Sequence, residues 1–138
     1  MDLLVKLENL PSENPVSGIV IRRATPDEIT KLNDWVASYF DTYWAQEVAI
    51  GFNNIPISIY VAVRNGTIVG FSAYECTSEG FLGPMGVEEY GQGIGRALLL
   101  RALGGLSELG YRYAIIHDMG DSIDFYQHVL GPNVVDIV

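Results

Sequence analysis

The chain has 138 residues, of which 49% are hydrophobic and 11% aromatic. That is enough for one hydrophobic core, leaves no room for two ordinary domains, and excludes wholesale disorder. Eight Lys and Arg against seventeen Asp and Glu give a net charge of -9, a surface that repels phosphate backbones, so nucleic acid is not an expected partner.

Residues Met1 to Ser17 hold two prolines and two Glu-Asn steps and read as a short strand or arm followed by an irregular connection. Gly18 to Arg23 is short and β-branched, which predicts a strand. Thr25-Pro26-Asp27-Glu28 then opens a helix: Thr25 caps, Pro26 fits the first helical position, and Glu28 completes a capping box. Ile29, Leu32, Trp35, Val36, Tyr39 and Phe40 continue it at helical spacing. A second helix is expected from about Thr42 to Ile50. Ile57 to Arg64 and Thr67 to Cys76 read as a hairpin around Asn65-Gly66, because both turn positions tolerate positive φ. Gly80 to Val87 is a further strand, made irregular by Pro84 and its neighbouring glycines.

Past the loop Gly91-Gln92-Gly93-Ile94-Gly95, a helix runs on Ile94, Ala97, Leu98, Ala102, Leu106 and Leu109, with Gly110 as its C-terminal stop. Gly104-Gly105 weakens it by roughly 1 kcal/mol per glycine relative to Ala. Tyr111 to His117 is a strand. Asp121 or a near neighbour caps a short helix through Val129, Gly131-Pro132 stops it, and Asn133 to Val138 is a last strand. The order predicts an α/β fold with a mixed sheet, antiparallel in its first half and built on crossover helices in its second. Residues 1–138 form a single domain on this reading.

Several chemistries are disfavoured. The lone cysteine, Cys76, excludes an internal disulfide framework and a clustered-thiolate zinc site, and it reads as a small buried hydrophobe. No metal-ligand spacing is present, His117 and His128 included, so no metal is expected. No G-x-S-x-G elbow exists for a serine hydrolase. The N-terminal sequence has no secretion signal, and no stretch approaches the roughly 18 apolar residues of a membrane span. A cytoplasmic protein with no membrane partner is the expectation.

The glycine loop between an irregular strand and a helix suits phosphate or pyrophosphate. The glycines allow close backbone approach, and the free amides at the helix start donate to an anion. It is not a Walker loop, which needs Lys-Ser or Lys-Thr after its last glycine. It is not the dinucleotide fingerprint either, since the third glycine position falls on Arg96 or Leu98. A coenzyme A loop is the option left, beside a tight turn without ligand.

Here the chain resembles the GCN5-related N-acetyltransferase superfamily over roughly Gly18 to Leu130, and particularly small bacterial members. GPMGVEEYGQGIGRALL is similar to that family's splayed strand, pyrophosphate loop and following helix. Gly93 and Gly95 match the small positions of Gln/Arg-x-x-Gly-x-Gly/Ala, while Tyr90 stands in the Gln/Arg position, a departure. Asp124 to Gly131 is similar to the family's F-Y-x-x-x-L-G segment. The resemblance implies a mixed sheet with splayed middle strands, and acetyl-CoA as cosubstrate. It implies that Met85, Gly86, Val87, Gly91, Gln92, Gly93, Ile94, Gly95, Arg96, Ser122 and Phe125 bind that cosubstrate. Tyr126 would protonate the departing thiolate, and the Val87 amide would stabilise the developing oxyanion. Glu47, by location alone, would take the amine's proton directly or through water, and Tyr43 and Trp44 would line an acceptor pocket.

Structural roles compete with these. Tyr126 also suits a core position, Glu47 a solvated helix face, Tyr43 and Trp44 the core, and Arg96 a surface ion pair. The expected function is acetyl transfer from acetyl-CoA to a primary amine of a small molecule or peptide, with an acidic surface favouring a cationic acceptor. The alternative is a catalytically weak acyl-CoA-binding sensor or subunit; a nucleotide-binding protein is a third reading. The final family hairpin is shortened, leaving an edge suited to a homodimer.

Overall fold

The computed structural model describes residues 1–118 and 120–138. One sheet holds β1 (Asp2–Lys6), β2 (Val20–Arg23), β3 (Ile59–Arg64), β4 (Thr67–Tyr74), β5 (Phe81–Val87), β6 (Tyr113–His117) and β7 (Val134–Ile137), in the order β2-β3-β4-β5-β6-β1-β7. The helices are α1 (Ile29–Tyr39), α2 (Thr42–Phe52), α3 (Ile94–Glu108) and α4 (Ile123–Leu130). β2 to β5 are antiparallel neighbours. Asn65 and Gly66 turn the β3–β4 hairpin with φ of 50° and 77°, as a type I′ turn requires. α3 then crosses over to place β6 parallel to β5.

The α/β class and the mixed sheet are as expected. The far end of the sheet is richer than the sequence suggested: β1 is inserted between β6 and β7, with Leu3 opposite Ile116 on one side and Ile137 on the other. The chain's own first strand therefore extends the sheet there, and β7 is the edge.

Strand alternation divides the core between two faces. Leu3, Val5, Tyr60, Ala62 and Ile116 pack with Leu98, Leu99, Leu103 and Leu106 of α3 and with Tyr126 and Leu130 of α4. Ile59, Val61, Phe71 and Ala73 pack with Leu32 and Val36 of α1 and Val48 of α2. Each fully buried leucine contributes about 1.5–3 kcal/mol of burial free energy, which locks α3 to the sheet behind the glycine loop.

Local chemistry sets the helix ends. A 3₁₀ turn at Pro26–Glu28 leads into α1. The Glu28 carboxylate accepts from the Thr25 amide at 2.9 Å and from both Arg22 guanidinium nitrogens at 2.8 and 2.9 Å. Asp41 caps α2 by accepting from the Trp44 amide at 2.8 Å. Gly110, with φ of 99°, follows the last turn of α3. Gly105 has a packing reason to be glycine, because a Cβ there would lie 2.5 Å from the Tyr74 ring. Asp121 does not cap α4. Ser122 takes the N-cap position without a side-chain bond, and Asp118 accepts from the amides of Gly120 and Ser122 at 2.8 and 3.1 Å.

Candidate functional site

β5 and β6 pair only at Phe81–Ile115 and Leu82–Ile116. Beyond that β5 stays with β4, Met85 opposite Ser72, Gly86 opposite Phe71 and Val87 opposite Gly70. The other edge of Gly83 to Val87 has no strand partner among the described residues. Pro84 supplies no N–H to a ladder. Gly86 lets the α1–α2 junction sit on the β5 backbone, since a Cβ there would fall on the Phe40 ring.

A cavity of about 210 Å³ opens in the gap. α2 contributes Trp44 and Glu47, β5 contributes Gly83, Pro84 and Met85, the end of β6 contributes His117 and Asp118, and Ser122 and Tyr126 come from the start of α4. Thr77 also lines it and donates from Oγ1 to Glu47 Oε2 at 2.8 Å. Trp44 stacks on Phe40, ring centroids 5.0 Å apart, which fixes one wall. Tyr126 is 8% exposed. Burial, and then the Asp118 carboxylate, push its hydroxyl up to about 12, so it keeps its proton through the neutral range. His117 Nδ1 lies 2.6 Å from Asp2 Oδ1.

The glycine loop joins the end of β5 to the start of α3. Gly91 and Gly93 both have φ of 82°, a conformation that favours glycine. The Ile94 side chain is buried and anchors the turn, while Gly91, Gln92 and Gly93 are exposed. A Cβ on Gly95 would lie 3.6 Å from the Phe125 ring and 3.9 Å from Val87, so the loop, the end of β5 and α4 meet. Arg64 donates from Nη2 to Gln92 Oε1 at 2.6 Å, and Arg96 is partly buried beside the loop.

The structure thus brings together Trp44, Glu47, Met85, Ser122 and Tyr126 around one cavity, with Val87, Phe125 and the loop adjoining. Tyr43 is 74% exposed and does not line the cavity. Cys76 is buried against Ser58 and the Tyr74 carbonyl, and burial pushes its thiol up to about 11, which makes it a poor nucleophile. His117, Asp118, Thr77 and Asp2 escaped the sequence reading. His117 ends a recognisable strand, but Asp2 becomes its neighbour only through pairing across the whole chain. Among the described residues no group of three or more His, Cys, Asp or Glu is placed to hold a metal ion, and no helix is long and apolar enough to cross a membrane.

A mixed seven-stranded sheet with flanking helices, parting between β5 and β6 beside a glycine loop, is the GCN5-related N-acetyltransferase fold. The chain matches a GCN5-related N-acetyltransferase from Sphaerobacter thermophilus with a TM-score of 0.72 and 20% identity, over 93% of this chain and 46% of that one. It matches a GNAT family acetyltransferase from Brucella melitensis, solved in complex with acetyl-CoA, with a TM-score of 0.56 and 22% identity over 78% of this chain and 80% of that one. A third match is an aminoglycoside acetyltransferase from an uncultured soil metagenomic sample, in complex with sisomicin, with a TM-score of 0.60 and 17% identity over 88% of this chain and 93% of that one. The chain spans about half or less of the length of the first structures it matches, from 19% to 51%. No family model and no curated protein sequence matches the chain.

Proposed function

We propose that this chain transfers an acetyl group from acetyl-CoA to a primary amine of a small molecule or peptide. The observation that carries the reading is the parting of β5 from β6 after two residue pairs, with Tyr126, kept protonated, lining the gap. The residues present fit the cosubstrate. The unpaired edge at Met85, Gly86 and Val87 offers backbone groups to a pantetheine amide. The backbones of Gly91, Gln92, Gly93, Ile94, Gly95 and Arg96 offer donors to a diphosphate, with Ser122 and Phe125 alongside. When bound, acetyl-CoA supplies a thioester whose acyl carbon an amine attacks.

The chain's own groups divide the remaining work. Tyr126 holds a proton on Oη for the departing sulfur. The Val87 amide donates to the acyl oxygen as charge builds there, an effect typically worth a few kcal/mol. Trp44 and Phe40 form an apolar wall, and Glu47 and Asp118 give the cavity negative charge, which favours a cationic amine of the aminoglycoside, polyamine or lysyl kind. A homodimer paired along β7, whose Val135 and Ile137 are exposed, belongs to the same proposal and is read by light scattering.

The test is calorimetric titration with acetyl-CoA followed by a thiol-release assay on spermidine, sisomicin and a lysine peptide. Binding with turnover supports the reading. Binding without turnover supports the acyl-CoA-binding sensor, for which the exposed Tyr90 in place of Gln or Arg is the motivation. Absence of binding ends both.

A further inference from the structure

We propose that His117 takes the proton from the acceptor ammonium and that Asp2 positions it, an assignment that rests on the acetyl-transfer reading of the same cleft. Asp2 and His117 are direct cross-strand partners in the β1–β6 ladder, with Oδ1 and Nδ1 2.6 Å apart. The neighbouring pairs Leu3–Ile116 and Val5–Ala114 are buried on the face covered by α3 and α4. Alternation therefore turns Asp2 and His117 to the opposite face, the one that carries α2. There His117 lines the cavity together with Glu47 and Trp44.

The pairing fixes the imidazole. With Nδ1–H donating to the carboxylate, Nε2 carries the lone pair and is free to accept a proton. Glu47 is less suited to that step. It already accepts from Thr77 through Oε2 at 2.8 Å, whereas, among the described residues, Nε2 of His117 has no such donor on it in the pairing with Asp2. Glu47 then serves to attract the cation. The titratable and charged groups around His117 are Asp2 and the Met1 ammonium at the start of β1, Asp118 beside it in the chain, and Glu47 and Tyr126, which line the same cavity.

The protons balance. Nε2 accepts one proton from the ammonium and passes it to water. The freed nitrogen lone pair forms the C–N bond as the C–S bond breaks. Tyr126 gives its proton to sulfur and recovers one from the nitrogen through solvent. One proton is released for each acetyl group transferred.

The experiment measures kcat/KM against pH for the wild type, His117→Gln and Asp2→Asn, with acetyl-CoA and spermidine, or with sisomicin or the lysine peptide where spermidine is not acetylated. Acetyl-CoA affinity is read by calorimetry, and kcat and the amine KM are determined separately at pH 7. His117→Gln is expected to lose about 100-fold in kcat/KM at pH 7, to rise about tenfold per pH unit up to pH 9 as free amine accumulates, and to bind acetyl-CoA within about twofold of wild type. Asp2→Asn is expected to lower kcat at pH 7 at least tenfold while the amine KM and acetyl-CoA affinity stay within about twofold of wild type, a split that a merely structural role would not give. It carries the test where His117→Gln misfolds by circular dichroism. A wild-type profile in His117→Gln, or a wild-type kcat in Asp2→Asn, overturns this assignment and leaves acetyl transfer standing. Failure of the wild type to bind acetyl-CoA, or to acetylate any of spermidine, sisomicin and the lysine peptide, overturns the acetyl-transfer reading and this assignment with it.

Discussion

The Phe125 ring lies against the first turn of α3, 3.6 Å from where a Cβ on Gly95 would stand. That is an ordinary van der Waals distance, so alanine fits, and in a helix it is favoured over glycine by up to about 1 kcal/mol. Alanine is also one of the two residues that the motif Gln/Arg-x-x-Gly-x-Gly/Ala admits at this position. Gly95→Ala is therefore expected to keep or raise the melting temperature and to bind acetyl-CoA within about twofold of wild type by calorimetry. A loss of tenfold or more in Gly95→Ala would contradict the match of this loop to that motif.

Tyr126→Phe removes one hydroxyl from a buried ring and leaves its packing in place. The expected result is a kcat lower by about 100-fold, the usual weight of a general acid, with acetyl-CoA affinity unchanged. Because the hydroxyl is pushed up to about 12, the acid form persists through the neutral range. The wild-type rate should show no loss assignable to Tyr126 until the pH nears that value. A falling limb near pH 8 that disappears in Tyr126→Phe would contradict the environment described for this side chain.

Adjacent glycines in α3 should behave oppositely. Nothing lies within 4 Å of a Cβ on Gly104, whereas one on Gly105 would strike the Tyr74 ring at 2.5 Å. Tyr74 is itself held by a 2.7 Å hydrogen bond from Arg23 to its hydroxyl, so it has little freedom to yield. Gly104→Ala is expected to stabilise by about 0.5–1 kcal/mol and Gly105→Ala to destabilise by about 1–3 kcal/mol, both measurable by urea unfolding. Equal effects at the two positions would refute the packing argument.

What the sequence disclosed follows the range of the interactions involved. Asn65-Gly66, the Glu28 capping carboxylate and Gly110 act within a few residues of themselves, and each stands where its local chemistry puts it. The proposal of a phosphate loop at Gly93 and Gly95 draws on the same short range, because close backbone approach needs glycine at fixed spacing. The place of β1 could not be read, because Leu3 meets Ile116 and Ile137 only after the rest of the sheet exists. The same holds for Asp2 beside His117, and for Gly105, whose apparent cost to the helix reflects a tyrosine 31 residues earlier. Tyr43 and Trp44 are neighbours in a helix, so one reaches the cavity only by turning the other to solvent, and composition could not choose between them.

Glu28 links the start of α1 to β2 and supplies a pH dependence of stability. The Arg22 guanidinium, and then the Thr25 amide and hydroxyl, hold its carboxyl at about 2, against an ordinary value of 4.5. A carboxylate whose folded pKa is depressed adds stability above its unfolded pKa and loses it as the pH falls toward the folded one. The window is therefore about pH 5 to pH 2. Arg22 is 41% exposed, so solvent screening limits the contribution to about 1 kcal/mol at pH 7. Glu28→Gln is expected to lower the pH 7 melting temperature by a few degrees and to flatten the decline of stability between pH 5 and pH 3 relative to wild type. Parallel stability curves for the two proteins across that window would show that the Arg22–Glu28 contact contributes nothing to folding.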